Sequence, residues 1–275
     1  MPLAVWPAPA KINLFLHITG RRDDGYHTLQ TAFQFLDYGD SLKFEITDSQ
    51  DILREDDSDL PATDLSIRAA RLLQKTCAVT QGVRITLTKH IPVGAGLGGG
   101  SSDAATTLIA LNELWQTGLS RTELQQLGLQ LGADVPVFVY GKAAWAEGVG
   151  EQFSEIFPDE RWYCVVKPGV MVNTGQIFSD EELTRNTPEI RIRDFSADRS
   201  RNDLEAVTRR LYPEVDEVCR WMSGYGHARM TGSGAAVIVA VHDPETGQDM
   251  LQFMPPGCTG FVARSVNRHP LVGRC

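Results

Sequence analysis

Polar and apolar residues alternate strictly along AKINLFLHI, with Ala10, Ile12, Leu14 and Leu16 on one side and Lys11, Asn13, Phe15 and His17 on the other. Successive side chains leave a pleated backbone on opposite faces, so this period of two predicts a half-buried strand. RRDDGYHTL follows as a glycine-containing turn, and TAFQFLDYGDSLKFEIT predicts two more strands broken between Tyr38 and Ser41. From Asp48 to Asp64 the chain is rich in acid, Ser and Pro without apolar period, as in a solvated loop or hairpin tip. Asp64 then stands as a cap for a helix through LSIRAARLLQKTC, and VRITLTKHI alternates again as a strand.

That strand runs into IPVGAGLGGGSSDAA, Ile91 to Ala105, where side chains almost disappear. Glycine costs the most to order, so such a cluster implies positive φ or the close approach of something to the backbone. The next segment places Ala104, Ala105, Leu108, Ile109, Leu111 and Trp115 on one helical stripe, with Ser102 as its expected N-cap. Unpaired N–H groups and the positive end of a helix dipole then lie together, which suits an anion, most often phosphate. An ordinary glycine-rich turn is the plainer alternative. Asp103 would repel a phosphate, so the anion has to lie on the Gly98 to Ser101 side or a metal ion has to intervene.

Further on, RTELQQLGLQL predicts a helix closing near Gly132, and the apolar run after it is a strand or the start of another helix, with Pro136 at the boundary. Residues 148–158 look like a linker, and WYCVVKPGV opens a second strand-rich unit. The stretch 188–203 is polar and irregular, NDLEAVTRRLYPEVDEVCRWMSG has helical period, and ARMTGSGAAVIVAV reads as strand, glycine turn, then strand or buried segment. Strands and helices mixed in two blocks, without repeats, predict an α+β fold.

Composition narrows the partners. The chain has 275 residues, 42% hydrophobic and 22% charged, enough for one large or two modest domains. A net charge of −9 argues against nucleic acid or an anionic membrane as partner, while leaving room for an anionic small molecule held by local lysines and helix ends. Cys77, Cys164, Cys219, Cys258 and Cys275 are odd in number and scattered, which predicts neither a disulfide framework nor a zinc site and fits a reducing cytoplasm. His17, His90, His227, His242 and His269 show no metal-ligand spacing. The start lacks a basic n-region and no segment nears the roughly 18 apolar residues of a membrane span, so the expected location is cytoplasmic.

Two familiar phosphate loops are excluded first. A Walker A loop needs a lysine after its glycines, and here Ser101 and Ser102 follow instead. Gly94, Gly96 and Gly99 match G-x-G-x-x-G, but the preceding strand alternates where a Rossmann strand is continuously apolar, and no acid ends a following strand.

PVGAGLGGGSSDAA resembles the central phosphate-binding motif of the GHMP small-molecule kinases. PAPAKINLFLHITGRRDDGYHTLQT, GADVPVF at Gly132 to Phe138, NDLE at Asn202 to Glu205 and MTGSGAA at Met230 to Ala236 extend the resemblance over almost the whole chain, in the family's order. They point to the branch that phosphorylates the 2-hydroxyl of 4-diphosphocytidyl-2-C-methyl-D-erythritol in non-mevalonate isoprenoid synthesis. A sister GHMP kinase, for homoserine or mevalonate, and a non-catalytic nucleotide sensor are the competing readings. The resemblance implies an N-terminal ATP-binding domain over residues 1–152, like the second domain of ribosomal protein S5. It implies a ferredoxin-like C-terminal GHMP domain over 153–275, with ATP as co-substrate, Mg²⁺, a cytidine diphosphate alcohol as partner, and a monomer or weak homodimer.

Carried onto this chain, the resemblance makes Lys11 and Asp134 the catalytic pair. Asp134, beside apolar Val135, Val137 and Phe138, would be partly desolvated with its pKa raised, acting as a base or only orienting the hydroxyl. Pro92, Val93, Gly94, Ala95, Gly96, Leu97, Gly98, Gly99, Gly100, Ser101 and Ser102 would hold the ATP phosphates, the two hydroxyls meeting phosphate or hydrated Mg²⁺. Metal ligands are left unassigned. Asn13, Tyr26, His27, Thr174 and Phe178 would bind the substrate, with aromatics sandwiching cytosine and a histidine reading its polar edge. Gly232 and Gly234 would let the C-terminal unit approach the ATP loop. One departure stands out: where the family commonly has Asn-Leu near adenine this chain has Asp64 and Leu65, and an ionised Asp only accepts.

Overall fold

A computed structural model describes residues 3–55, 60–61, 63–197 and 201–274; Cys275 and parts of the loops expected at 48–64 and 188–203 lie outside them. Strands β1 (Trp6–Arg21) and β2 (His27–Thr47) pair antiparallel across the DDG turn. Both faces of β1 are covered, contrary to the half-buried expectation, and its residues enter all three apolar clusters of the molecule. Alternation failed as a guide because Lys11, Asn13 and His17 are buried polar groups rather than a wet face. Register shifts after Pro9, Asn13 and Ile18 re-aim the strand as it passes from one cluster to the next.

Strand β2 is continuous through Tyr38–Ser41, where a break was expected. Gly39 lies opposite Pro9, and a Cβ there would come within 2.4 Å of the Ala8 carbonyl oxygen. The turn-like residues mark a close crossing of two backbones instead of a chain reversal. Strand β3 (Ile52–Arg54) lies parallel to β4 (Gly82–Thr88), and α1 (Leu65–Thr76) connects them, capped by Asp64 as expected.

Helix α2 (Gly99–Leu114) begins earlier than the sequence suggests. Its N-cap is Gly98 in the left-handed region at φ 74°, and Ser102 is an interior residue whose N–H donates to the Gly98 carbonyl at 2.8 Å. A left-handed glycine turns the loop straight into the helix, so no side-chain cap is required. Burial of α2 is not confined to one stripe, since β1 and β2 lie on one side and α1, α3 (Arg121–Leu131) and α4 (Val135–Tyr140) pack against it elsewhere. The apolar run left open after Gly132 is this helix α4, with Pro136 in its first turn, where the missing N–H is not needed.

The stretch expected to be a linker is a hairpin of β5 (Ala144–Glu147) and β6 (Gln152–Glu155), with Gly148 and Gly150 at positive φ between them. It is anchored because β5 also pairs with Thr31–Phe33 of β2. The second unit comprises β7 (Trp162–Lys167), α5 (Thr174–Ser179), α6 (Glu205–Leu211), α7 (Pro213–Ser223), β8 (Arg229–Met230), β9 (Val237–Val241), α8 (Pro244–Leu251) and β10 (Thr259–Val266). The expected single helical period splits at Tyr212, because Pro213 supplies no N–H. Strand order is β3-β4-β2-β10-β7-β9-β8, with β1 and β5 also on β2, so β10 joins the two units through β2. This is an α+β arrangement of two units joined along one sheet, as expected.

Loop and second unit meet backbone to backbone. Ala235 and Ala236 donate their N–H groups to the carbonyls of Gly94 (3.3 Å) and Ala95 (3.0 Å). A Cβ on Gly96, at φ +74°, would lie 2.5 Å from the Thr231 carbonyl oxygen, and one on Gly232 would lie 2.8 Å from that of Gly96. Gly96→Ala is therefore expected to lower stability by at least ~2 kcal/mol, from left-handed strain plus a clash with main chain. Gly100→Ala, inside α2 with only a Leu65 methyl at 3.5 Å, should leave stability unchanged or raise it by up to ~1 kcal/mol. Denaturant midpoints check both, and equal midpoints for the two variants would refute this account of Gly96.

Candidate active site

Lys11 is fixed by its own backbone before its side chain is considered. Its N–H donates to the Leu97 carbonyl at 3.0 Å, so β1 is hydrogen-bonded to the glycine loop at this residue. Its side chain is 2% exposed, passes beside Gly98, and ends with Nζ donating to Asn13 Oδ1 at 2.7 Å, 3.2 Å from Asp134 Oδ2. Asn13 is itself held, with Nδ2 donating to Thr31 Oγ1 at 2.9 Å and its backbone N–H to Thr231 Oγ1 at 2.8 Å. A buried ammonium needs such compensation.

Asp134 occupies the N-cap position of α4, but its side chain makes no capping bond and turns to Lys11 instead. Val135, Val137 and Phe138 face inward, and the Asp134 side chain, 38% exposed at the cleft, is only partly withdrawn from water. It can be reached from solvent.

Lys11, Asn13, Tyr26, His27, Asp134, Thr174 and Phe178 all line one cleft of about 800 Å³. His27 and Phe178 form a tilted ring pair with centroids 5.3 Å apart, Tyr26 is exposed at the rim, and Thr174 Oγ1 lies 2.7 Å from Ser233 Oγ across the domain junction. Pro92 to Ser101 line an adjoining cleft of about 380 Å³, and Gly94, Gly96 and Ser101 border both. Ser102 borders neither. It is fully buried with its hydroxyl unpartnered, because one more residue of helix carries it round to the inner side.

NDLE acts as a clamp. Asn202 donates to the carbonyls of Met230 (3.0 Å) and Gly232 (2.7 Å), Glu205 accepts from the Met230 N–H at 2.9 Å, and Asp203 accepts from the Ile18 N–H at 2.8 Å. The second glycine turn is thereby tied to β1, the strand that carries Lys11.

The comparisons agree with this arrangement. Residues 64–142 match the GHMP kinases N terminal domain and residues 184–256 the GHMP kinases C terminal domain. The 4-diphosphocytidyl-2-C-methyl-D-erythritol kinase of Azoarcus sp. (strain BH72) is 53% identical over 98% of this chain and 97% of its own. That of Nitrosococcus oceani is 52% identical over 96% and 95%. This chain belongs to that kinase family. A crystal structure of 4-(cytidine 5'-diphospho)-2C-methyl-D-erythritol kinase superposes with a TM-score of 0.84 at 32% identity, covering 95% of this chain and 99% of that one. A mevalonate kinase shares the fold at TM-score 0.71 and 15% identity. The protein is an ATP-dependent small-molecule kinase. No helix among the described residues is long and apolar enough to cross a membrane.

Sequence reasoning missed a second charged centre of this kinase, beneath the loop. Lys89 donates to Asp103 at 2.8 Å and to Asp40, whose other oxygen accepts the N–H groups of His90 (2.5 Å) and Ile91 (2.8 Å). The cluster thus fixes both ends of the loop, the exit from β4 and the start of α2. Lys89 also reaches the cleft wall, where a Cβ on Gly99 would lie 3.3 Å from its Nζ. Its only signal was a lysine on an alternating strand. Burial alone would lower the Lys89 pKa, but the two carboxylates more than offset that and raise it. Burial pushes Asp103 up to about 7, opposed by Lys89 and reinforced by Asp40. This answers the problem of a carboxylate beside a phosphate: Asp103 is turned to Lys89 under the loop.

At the departure from the family's Asn, Asp64 is already committed. Its carboxylate accepts from the N–H groups of Ser66 (2.6 Å) and Ile67 (3.3 Å) and pairs with Arg54. The four described cysteines are free, and burial drives the thiols of Cys164 and Cys219 up to about 12, which keeps them inert.

The raised Asp103 value sets a pH dependence. A carboxyl that binds its proton more tightly folded than unfolded contributes stability that is full below its ordinary value of 3.8 and is lost as pH rises to about 7. Melting temperature should therefore carry a falling contribution across that window. Asp103→Asn should remove that part of the slope; an unaltered profile in the variant would exclude the assignment.

Proposed function

We propose that this kinase transfers the γ-phosphoryl group of ATP to the 2-hydroxyl of 4-diphosphocytidyl-2-C-methyl-D-erythritol, giving the 2-phosphate and ADP in the non-mevalonate route to isoprenoids. The observation that carries the reading is the 3.2 Å Lys11–Asp134 pair in the larger cleft, which shares Gly94, Gly96 and Ser101 with the cleft along the glycine loop. The 53% identity to a kinase of that name supports the substrate.

In this reading the loop from Pro92 to Ser101 holds the phosphates through backbone N–H groups, the start of α2 adds its dipole, and Lys89 supplies charge from below. The acceptor hydroxyl enters beside Asp134. As the loose transition state forms, the oxygen bonds to the γ-phosphorus and the bond to the β–γ bridging oxygen breaks; Asp134 accepts the hydroxyl proton and Lys11 faces the charge that develops on the acceptor. Asn13, bonded to Lys11, Thr31 and Thr231, keeps the ammonium aimed.

Mg²⁺ fits as part of the nucleotide complex. The described residues contain no cluster of three His, Cys, Asp or Glu groups that could hold a metal, and Mg²⁺ bound to phosphates needs only one or two protein ligands. In this reading the hydroxyl of Ser101, a residue that borders both clefts, would meet it. When bound, the ion neutralises charge on the β- and γ-phosphates. On the substrate side Tyr26, His27 and Phe178 take the cytosine and Thr174 completes the wall. In this reading the first family match lies in the unit that holds ATP and the second in the unit that closes over it. A cytoplasmic setting suits these substrates and the free thiols.

Asp134→Asn is expected to lower kcat by at least ~100-fold with nucleotide binding nearly intact, and Lys11→Met to act mainly on kcat by a similar factor. A coupled ADP-release assay with the cytidyl alcohol checks both. Near-normal turnover of Asp134→Asn would remove it from the chemistry, and a Lys11→Met effect confined to KM would make Lys11 a binding residue only.

A further inference from the structure

Arg185 lies in the irregular stretch after α5, and nothing in the sequence singles it out. Its Nε donates to His27 Nε2 at 3.0 Å. The rest of the guanidinium donates to the carbonyls of Leu183 (3.2 Å), Phe178 (3.1 Å) and Asp180 (2.6 Å), so the group is held on three further sides. An arginine has donors only and does not lose its proton. His27 Nε2 must therefore present a lone pair, and the neutral ring must carry its proton on Nδ1.

The cation, with protons on both ring nitrogens, would set a donor against a donor. It is also disfavoured because burial, then Arg185 and Arg21, lower the His27 pKa below its ordinary value. Nδ1 makes no hydrogen bond to any described residue, and it is absent from the buried polar atoms that lack a partner. It is the ring nitrogen that Arg185 leaves free, on a ring that lines the cleft beside Phe178. The site therefore offers a base an obligatory donor next to an aromatic face.

We propose that Arg185 determines the base preference of the kinase: by fixing His27 in its Nδ1–H form it presents a donor that pairs with the acceptor N3 of cytosine and is refused by the N3–H of uracil. The inference rests on the cytidyl-alcohol reading above and deepens it. Arg185 touches neither substrate nor ATP in this account; it is a positioning residue acting through His27.

The test compares kcat/KM for the cytidyl alcohol and its uridyl analogue. The unmodified kinase is expected to prefer cytidyl by at least ~50-fold, because a donor-to-donor mismatch leaves two polar groups unpaired. Arg185→Leu should reduce that ratio to below ~10-fold with the KM for ATP unchanged. Arg185→Lys, which keeps an obligatory donor but loses most of the carbonyl contacts, should retain most of the ratio. A purely structural clamp would instead weaken both substrates equally and leave the ratio untouched, which would overturn the proposal. Independently, ¹⁵N-histidine spectra of the free enzyme near pH 7 should show His27 as the Nδ1–H tautomer, and an Nε2–H tautomer would overturn it without any variant. If the unmodified enzyme phosphorylates neither alcohol, the parent reading fails and this one with it; if it prefers cytidyl and Arg185→Leu keeps that preference, only this one fails.

Discussion

Three stretches of main chain, far apart in sequence, meet at the glycine loop with no side chain between them. Lys11 donates to Leu97 at 3.0 Å from one side, and Ala235 and Ala236 donate to Gly94 (3.3 Å) and Ala95 (3.0 Å) from the other. Each of these bonds satisfies a backbone group that would otherwise be buried unpaired. They set the path of the loop before any ligand enters. They also explain its composition: Gly96 is bare because the Thr231 carbonyl is against it, and Gly98 because the Phe138 ring and the Lys11 stem are. Much of the glycine content serves protein-to-protein contact, and the cleft beside it benefits from the resulting exposure of N–H groups.

Charge is placed on that frame rather than spread over it. The protein as a whole carries −9, yet two lysines stand on either side of the loop. Lys11 is turned by Asn13 and Asp134, and Lys89 by Asp40 and Asp103. Buried ion pairs add little net stability once desolvation is counted. Their value here is position, since each ammonium has partners that leave it a single direction. The two centres differ in one respect that matters for chemistry: Asp134 is 38% exposed and can meet a hydroxyl, while Asp103 is 4% exposed and is spent on Lys89.

The second unit contributes through clamps. Asn202, Asp203 and Glu205 bind the 230–232 turn and β1 together, and Arg185 binds His27 to the loop after α5. A substrate lying between Tyr26, His27 and Phe178 therefore touches parts of both units, and its seat is as well ordered as the hydrogen bonds that join them.

The linear chain was enough to set the glycine loop before a helix, Asp64 as a cap, the strand–turn–strand around MTGSG, and the α+β class, because each depends on a local rule of spacing or on a residue that permits one conformation. Its motif resemblance also brought together Lys11, Asp134, His27 and Phe178, which share one cleft. Only the fold decided that β1 is covered on both faces, that the Tyr38–Ser41 stretch is a crossing and not a turn, that Ser102 is turned inward, and that Lys89 lies under the loop between Asp40 and Asp103. The physical reason is common to all four. Periodicity reports how a segment divides its own residues between two faces, but it carries no information about what a distant segment brings to either face. Burial, pairing and the direction of a side chain are settled by that second partner.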